Sequence, residues 1–146
     1  MKISIERNDA YGETEVAVKC RVDVDGKTEK LLAQLRLFCD EAVGLKNGET
    51  YKILLSDVFY IDCVDEKIFL YLAEEIYESR KKLYEWEREL ADTPFVRISK
   101  ATILNTDQLK SVRPLLSGKL EATLNNGEKQ LINRHYVAGF RQKFGI

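Results

Sequence analysis

The sequence predicts a mainly β fold with helices, of the α+β class, with one internal and one C-terminal helix behind a small β-α extension. Three observations predict it. Short runs of alternating apolar residues recur along the chain, and turn dipeptides such as Asp25-Gly26, Asn47-Gly48 and Asn126-Gly127 punctuate them. Only three stretches carry a helical period instead. With 146 residues, 45% of them hydrophobic, the chain is long enough to bury one core.

Residues 2–6 (KISIE) and 15–22 (EVAVKCRV) alternate as strands do, and Asp25-Gly26 turns the chain after the second. A helix is expected from Thr28 to Glu41, with Leu31, Leu32, Leu35, Phe38 and Cys39 on one stripe. This unit is too small to stand alone, so residues 1–44 read as an extension and 45–146 as the main module. Asn47-Gly48 joins two apolar segments as a hairpin. VFYIDC (58–63), KIFLYL (67–72) and EEIYES (74–79) read as strands, with VDEK (64–67) the exposed connection. From Ser79 the period turns helical, with Leu83, Trp86 and Leu90 on one face, until Ala91-Asp92-Thr93-Pro94 stops it. KSVRPLL (110–116), KLEATLNN (119–126) and EKQLI (128–132) supply the last strands. The tail is a helix capped by Asn133, with Tyr136, Val137, Phe140 and Phe144 on its apolar face.

The net charge of -1 conceals a division: residues 1–96 hold 14 Lys and Arg against 21 Asp and Glu, while residues 97–146 hold 9 against 3. A basic last third with ordinary hydrophobic patterning points to a polyanion-facing surface. No apolar run approaches the ~20 residues that span a bilayer, and the start MKISIERND has no signal-peptide core, so a cytoplasmic protein is expected. Cys20, Cys39 and Cys63 are widely spaced, with one histidine in the chain, which argues against a disulfide framework and a zinc site. They read as reduced, partly buried thiols.

Catalytic chemistry finds little support. His135 is the only histidine, lies between Arg134 and Tyr136 at a helix start, and has no nucleophile elbow to serve. Asp62, Asp65 and Glu66 match no metal loop, and the eight glycines form neither a phosphate-binding loop nor a dinucleotide fingerprint. The chain therefore reads as a non-enzyme with no cofactor and no metal. In the terminal helix, Arg134 and His135 occupy a first turn whose dipole disfavours cations by ~0.3–1 kcal/mol; a bound phosphate would reverse that sign.

FVRISKATILN, Phe95 to Asn105, breaks its own alternation: Val96 and Ile98 share one parity, Ala101 and Ile103 the other. A bend at Ser99-Lys100 would expose both side chains, with Arg97 also facing outward. Arg97, Lys100, Arg134 and His135 then form basic clusters beside turns, as loop-borne contacts on a rigid sheet would.

These residues resemble the LytTR DNA-binding domain. FVRISKATILN fits an opening F-x-R-(I/C)-(H/S)-(R/K/N)-(S/A) followed by a strand end in Asn. LNNGE fits the family's Leu-x-Asn-Gly hairpin, NRHY its last helix start, and DVFYIDCVDEKIFLYL its first hairpin. The resemblance covers residues 45–146. It implies a bacterial transcription regulator that inserts loops into DNA grooves, through Glu66 to Ile68 with Lys67, Ser99 with Lys100, and Arg134 with His135; Arg97 matches the opening arginine. Ser99 and Lys100 stand where relatives often have His or Asn, so base preference does not carry over. About 44 residues precede the resemblance, too few for a receiver domain of ~120 residues, so a stand-alone regulator is expected. Double-stranded DNA and a second copy of the chain are the expected partners, with residues 1–44 as the dimerisation element. Control would come from abundance, dimer formation or a membrane partner, and an unidentified regulatory protein is a further expected partner. The alternative is a protein-interaction module whose basic C-terminal face binds an acidic partner.

Overall fold

A computed structural model describes residues 1–146, apart from the side chain of Cys39. After an irregular segment, α1 (Gly26–Cys39) leads into β1 (Glu41–Lys46), β2 (Glu49–Leu54), β3 (Tyr60–Val64), β4 (Lys67–Tyr71) and β5 (Ile76–Ser79). Next come α2 (Leu83–Glu89), β6 (Phe95–Arg97), β7 (Thr102–Asn105), β8 (Leu109–Pro114), β9 (Leu120–Leu124), β10 (Lys129–Ile132) and α3 (Val137–Phe144). The antiparallel strands form a seven-stranded sheet in the order β2-β1-β5-β4-β3-β7-β6 and a three-stranded sheet in the order β10-β9-β8. The expected α+β class is observed.

Local chemistry explains the hairpins. Asn47 (φ 51°) and Gly48 (φ 78°) supply the paired positive φ angles that let a two-residue turn follow strand twist. β1 then pairs with β2 from Glu41↔Leu54 to Lys46↔Glu49. The sheet's own strands thus begin at Glu41, ahead of the expected boundary at residue 45. At the end of β7, Asn105 anchors the chain: its Nδ2 donates to the Val58 carbonyl at 2.9 Å, and its Oδ1 accepts from the Asp107 amide at 3.1 Å.

Two cores lie on opposite faces of the large sheet. One gathers Leu37 of α1, Trp86 and Leu90 around α2, and sheet residues including Ile61, Leu70, Phe95 and Ile103. The other joins Tyr60, Ile98 and Leu104 to Leu120, Ala122, Leu124 and Ile132 of the small sheet and Phe140 of α3. Trp86 enters its core with its indole N–H donating to Ser79 Oγ at 3.0 Å, so the ring is buried without an orphaned donor. Lys143 of α3 donates to the Ala91 and Thr93 carbonyls just beyond α2, doing for that helix end what a C-cap does. Burial holds the Lys143 ammonium below its ordinary pKa.

Three expectations are corrected. Residues 2–6 and 15–22 are not strands: within one chain no other strand pairs with them, and alternation alone supplies no ladder. In α1 the residue driven into the core is Leu37, with Leu31, Leu32 and Leu35 only half-buried and Phe38 74% exposed, because the helix docks beside the turn at Leu55–Asp57. The Cys39 member of the expected stripe lies outside the described residues. Finally, Phe95–Asn105 is a hairpin rather than one bent strand: β6 and β7 pair as Phe95↔Asn105, Val96↔Leu104 and Arg97↔Ile103. Both parities are apolar because this sheet is covered on both faces, with Phe95 and Ile103 in one core and Ile98 and Leu104 in the other. Of the thiols, Cys63 is half-buried as expected, whereas Cys20 is exposed.

Candidate nucleic-acid interface

Strand order places the candidate loops together. β3 lies between β4 and β7, so the β3–β4 turn and the β6–β7 loop leave the same end of the sheet. A backbone hydrogen bond from the Cys63 amide to the Ala101 carbonyl, 2.8 Å, ties one to the other. The Asn133 amide donates to the Ile98 carbonyl at 3.0 Å, which holds the start of the last helical segment against the same loop. Lys67, Ser99, Lys100, Arg134 and His135 thus share one end of the molecule, although they are far apart in sequence.

The β6–β7 loop is braced from within. Ile98 donates to the Thr102 carbonyl at 3.0 Å, leaving Ser99, Lys100 and Ala101 as the connection. Ser99 is half-buried and its Oγ accepts from the Ala101 amide at 3.2 Å; the Lys100 side chain is exposed. Arg97 does not face outward as expected. Its Nε donates to the Ser99 carbonyl at 2.7 Å, one terminal nitrogen donates to the Lys100 carbonyl, and the other pairs with the Glu87 carboxylate of α2 at 2.5 Å. A guanidinium carries enough donors in a fixed fork to hold all three acceptors at once. Arg97 therefore fixes the shape of the loop that presents Lys100.

The β3–β4 turn has a different character. Asp65 (φ 50°) and Glu66 (φ 65°) both adopt the left-handed conformation, which costs non-glycine residues about 1 kcal/mol each. Glu66 and Lys67 are exposed, whereas Ile68 is in the core and has no surface to offer. The turn carries more acid than base, so its charge does not favour a phosphate. Asp62 at the root of the turn accepts from Thr102 Oγ1 at 2.8 Å, another strut to the neighbouring loop.

Arg134 and His135 are exposed in a 3-10 turn, Arg134–Tyr136, that precedes α3, rather than in the first turn of the α-helix itself. The Arg134 stem lies on Gly118: a Cβ built there would sit 2.9 Å from Arg134 Cδ. This packing brings in a further loop, which sequence patterning does not single out. Leu115 to Lys119 connects β8 to β9 at the same sheet end, because Ile132 of β10 pairs with Leu120 of β9. Ser117 (φ 71°) and Gly118 (φ 76°) turn the chain, and Leu116 at the tip is 92% exposed. The Ser-Gly dipeptide after Pro114 is the one signal of this turn in the sequence.

At the opposite end of these strands the two sheets are joined by Tyr60, whose ring stacks on Tyr71 with centroids 4.4 Å apart. Burial, followed by a hydrogen bond to Glu128, pushes the Tyr60 phenol far above its ordinary pKa. Among the described residues no group of acids, histidines and cysteines is arranged to hold a metal ion.

A sheet end with exposed cations on braced loops defines a class of protein, a β-rich module whose loop surface suits a polyanion. The chain belongs to the LytTr DNA-binding domain family, whose profile matches residues 48–145. It is 24% identical over 107 residues to the sensory transduction protein LytT of Enterococcus faecalis, covering 73% of this chain and 44% of that protein. It is 30% identical over 70 residues to the transcriptional regulatory protein LytR of Staphylococcus aureus, covering 48% of this chain and 28% of that protein. The chain thus spans less than half the length of these curated relatives. Its fold matches the LytTr DNA-binding domain of a putative methyl-accepting/DNA response regulator of Bacillus cereus with a TM-score of 0.68 at 22% identity, over 73% of this chain and 97% of that one.

Proposed function

We propose that the protein is a sequence-specific DNA-binding transcriptional regulator that meets the grooves of a duplex with the loops at one end of its large sheet. The observation that carries this reading is the convergence of Lys100 and Arg134 on that end, through backbone bonds from Cys63 to Ala101 and from Asn133 to Ile98, in a chain of this family. Lys100, Arg134 and Lys67 make the polar contacts, Ser99 and His135 support them, and Arg97 holds the loop. The regulator acts in the cytoplasm as a homodimer on a repeated site, with no catalytic step.

Selection of bound sequences from a random duplex pool tests the reading, followed by competition between the selected duplex and a scrambled one. An enriched motif that outcompetes the scrambled duplex by about tenfold or more is the expected result; specific sites typically exceed non-specific ones by at least ~1,000-fold. Equal competition by both duplexes overturns the reading and favours an acidic protein partner for the basic face.

A further inference from the structure

The irregular first 25 residues hold unused strand chemistry. Asn8 makes a turn, accepting from the Ala10 amide on its Oδ1 at 2.9 Å and from the Tyr11 amide on its carbonyl at 3.1 Å. That turn divides two arms, residues 2–6 and 15–22, which do not pair with each other; Ser4 to Glu6 of one and Glu15 to Ala17 with Lys19 of the other line an open cleft. Ile3 and Ile5 on one arm, and Val16, Cys20 and Val22 on the other, are exposed, with Val22 fully so. Such side chains at alternate positions form one apolar face of a strand. A two-stranded ribbon by itself is marginal in water, whereas three or more strands with a covered face are stable. One chain supplies two.

We propose that residues 15–21 pair antiparallel with the same residues of a second copy, about a two-fold axis at Val18, to complete a four-stranded sheet. Sequence symmetry selects this register. Pairing about Val18 sets Glu15 opposite Arg21 twice, Val16 opposite Cys20 twice and Ala17 opposite Lys19 twice, so opposite charges face each other on the outer side. An isologous contact of this kind uses one patch on both subunits and closes at the dimer. Val16, Val18, Cys20 and Val22 then form one face, joined by Ile3 and Ile5 of the outer arms. The cover is at hand in α1: its spacing puts Leu31, Leu35 and Phe38 on one side, with Phe38 largely exposed and the two leucines half-buried.

This pairing supplies the dimer contact of the regulator described above, and its test needs no DNA. Sedimentation equilibrium of the full chain is expected to show a dimer. Glu15→Arg and Arg21→Glu should each raise the dimer dissociation constant by roughly tenfold, since like charges placed directly opposite destabilise a ladder. The double reversal E15R/R21E should restore it. Val16→Cys should give a disulfide-linked dimer with the native Cys20 under mild oxidation, and Ala17→Cys on the outer face should not. A monomeric native chain, single reversals without effect, or a double reversal that fails to recover would overturn the pairing. A monomer that still selects a duplex motif would do so while leaving the DNA reading intact.

Discussion

Removing the Arg97 guanidinium separates loop positioning from DNA contact. The side chain is 24% exposed and holds the Ser99 and Lys100 carbonyls and the Glu87 carboxylate. Hydrogen bonds to a charged group contribute ~1.5–3 kcal/mol each, but both carbonyls rehydrate when freed on an exposed loop, so Arg97→Ala should cost about 1–3 kcal/mol of stability. The binding effect follows from order. Ile98–Thr102 and Cys63–Ala101 still close the loop in the variant, so about one residue's worth of backbone freedom returns and must be removed on binding. At ~1–2 kcal/mol per residue that is roughly a 5- to 30-fold loss of affinity. Arg97→Lys should lose most of this as well, because one ammonium cannot span the three acceptors.

The assay is fluorescence anisotropy on the selected duplex across a salt series, with urea unfolding in parallel. A side chain that holds a loop and touches no phosphate leaves the slope of log affinity against log salt unchanged while the affinity falls. Removing a cation that neutralises a phosphate instead lowers that slope by about one. A slope reduced by that amount in Arg97→Ala would refute the positioning role, as would unaltered affinity in a variant of normal fold.

Other positions give independent checks. Asn105→Ala leaves the buried Val58 carbonyl without its Nδ2 partner and should lower stability by about 1–3 kcal/mol, read as a shifted urea midpoint with unchanged m-value. Gly118→Ala puts a Cβ 2.9 Å from Arg134 Cδ at φ +76°; it should cost ~1–2 kcal/mol of stability and weaken DNA binding by displacing Arg134, and intact affinity would mean the stem is free to move. Tyr60 has a folded pKa raised above its ordinary 10.0, so the stability it contributes is complete below pH 10 and is lost as pH rises from there towards the folded value. Urea unfolding from about pH 8 to 11 should therefore show an alkaline decline that Tyr60→Phe reduces.

Much of the fold is legible in the sequence because its signals are local. Asn47-Gly48 and the switch from two-residue to helical period at Ser79 each fix an element within a few residues. What is not legible depends on partners distant in sequence. Parity cannot reveal the reversal at Ser99 to Ala101, because cores on both faces make Phe95 and Leu104 equally apolar and leave no polar side to mark a turn. The role of Arg97 is hidden for a related reason: a basic residue of outward parity gives no sign that backbone carbonyls two and three residues ahead will fold back onto it. Residues 15–22 show the opposite error, a pattern that is right for a strand but has no ladder within the chain.

The basic last third, too, means less than its composition suggests. Of its nine Lys and Arg, Arg97 pairs with Glu87, Arg113 and Lys129 with Glu121, and Lys143 caps carbonyls beyond α2. Arg113 and Lys129 hold the Glu121 carboxyl below its ordinary pKa, the Arg113 hydrogen bond most of all. Lys110 lies near the start of β8, at the strand end away from the Leu115–Lys119 loop, and Arg141 lies along α3. That leaves Lys100, Lys119 and Arg134 at the loop end, with Lys67 beside the acids of its own turn. Each neutralised phosphate contributes about 0.9 to the salt dependence of duplex binding, so three cations predict a slope of about -2.7 per copy, about a third of what all nine would give. A slope beyond about -5 per copy would mean that the duplex lies across the wider basic face rather than on the loop end.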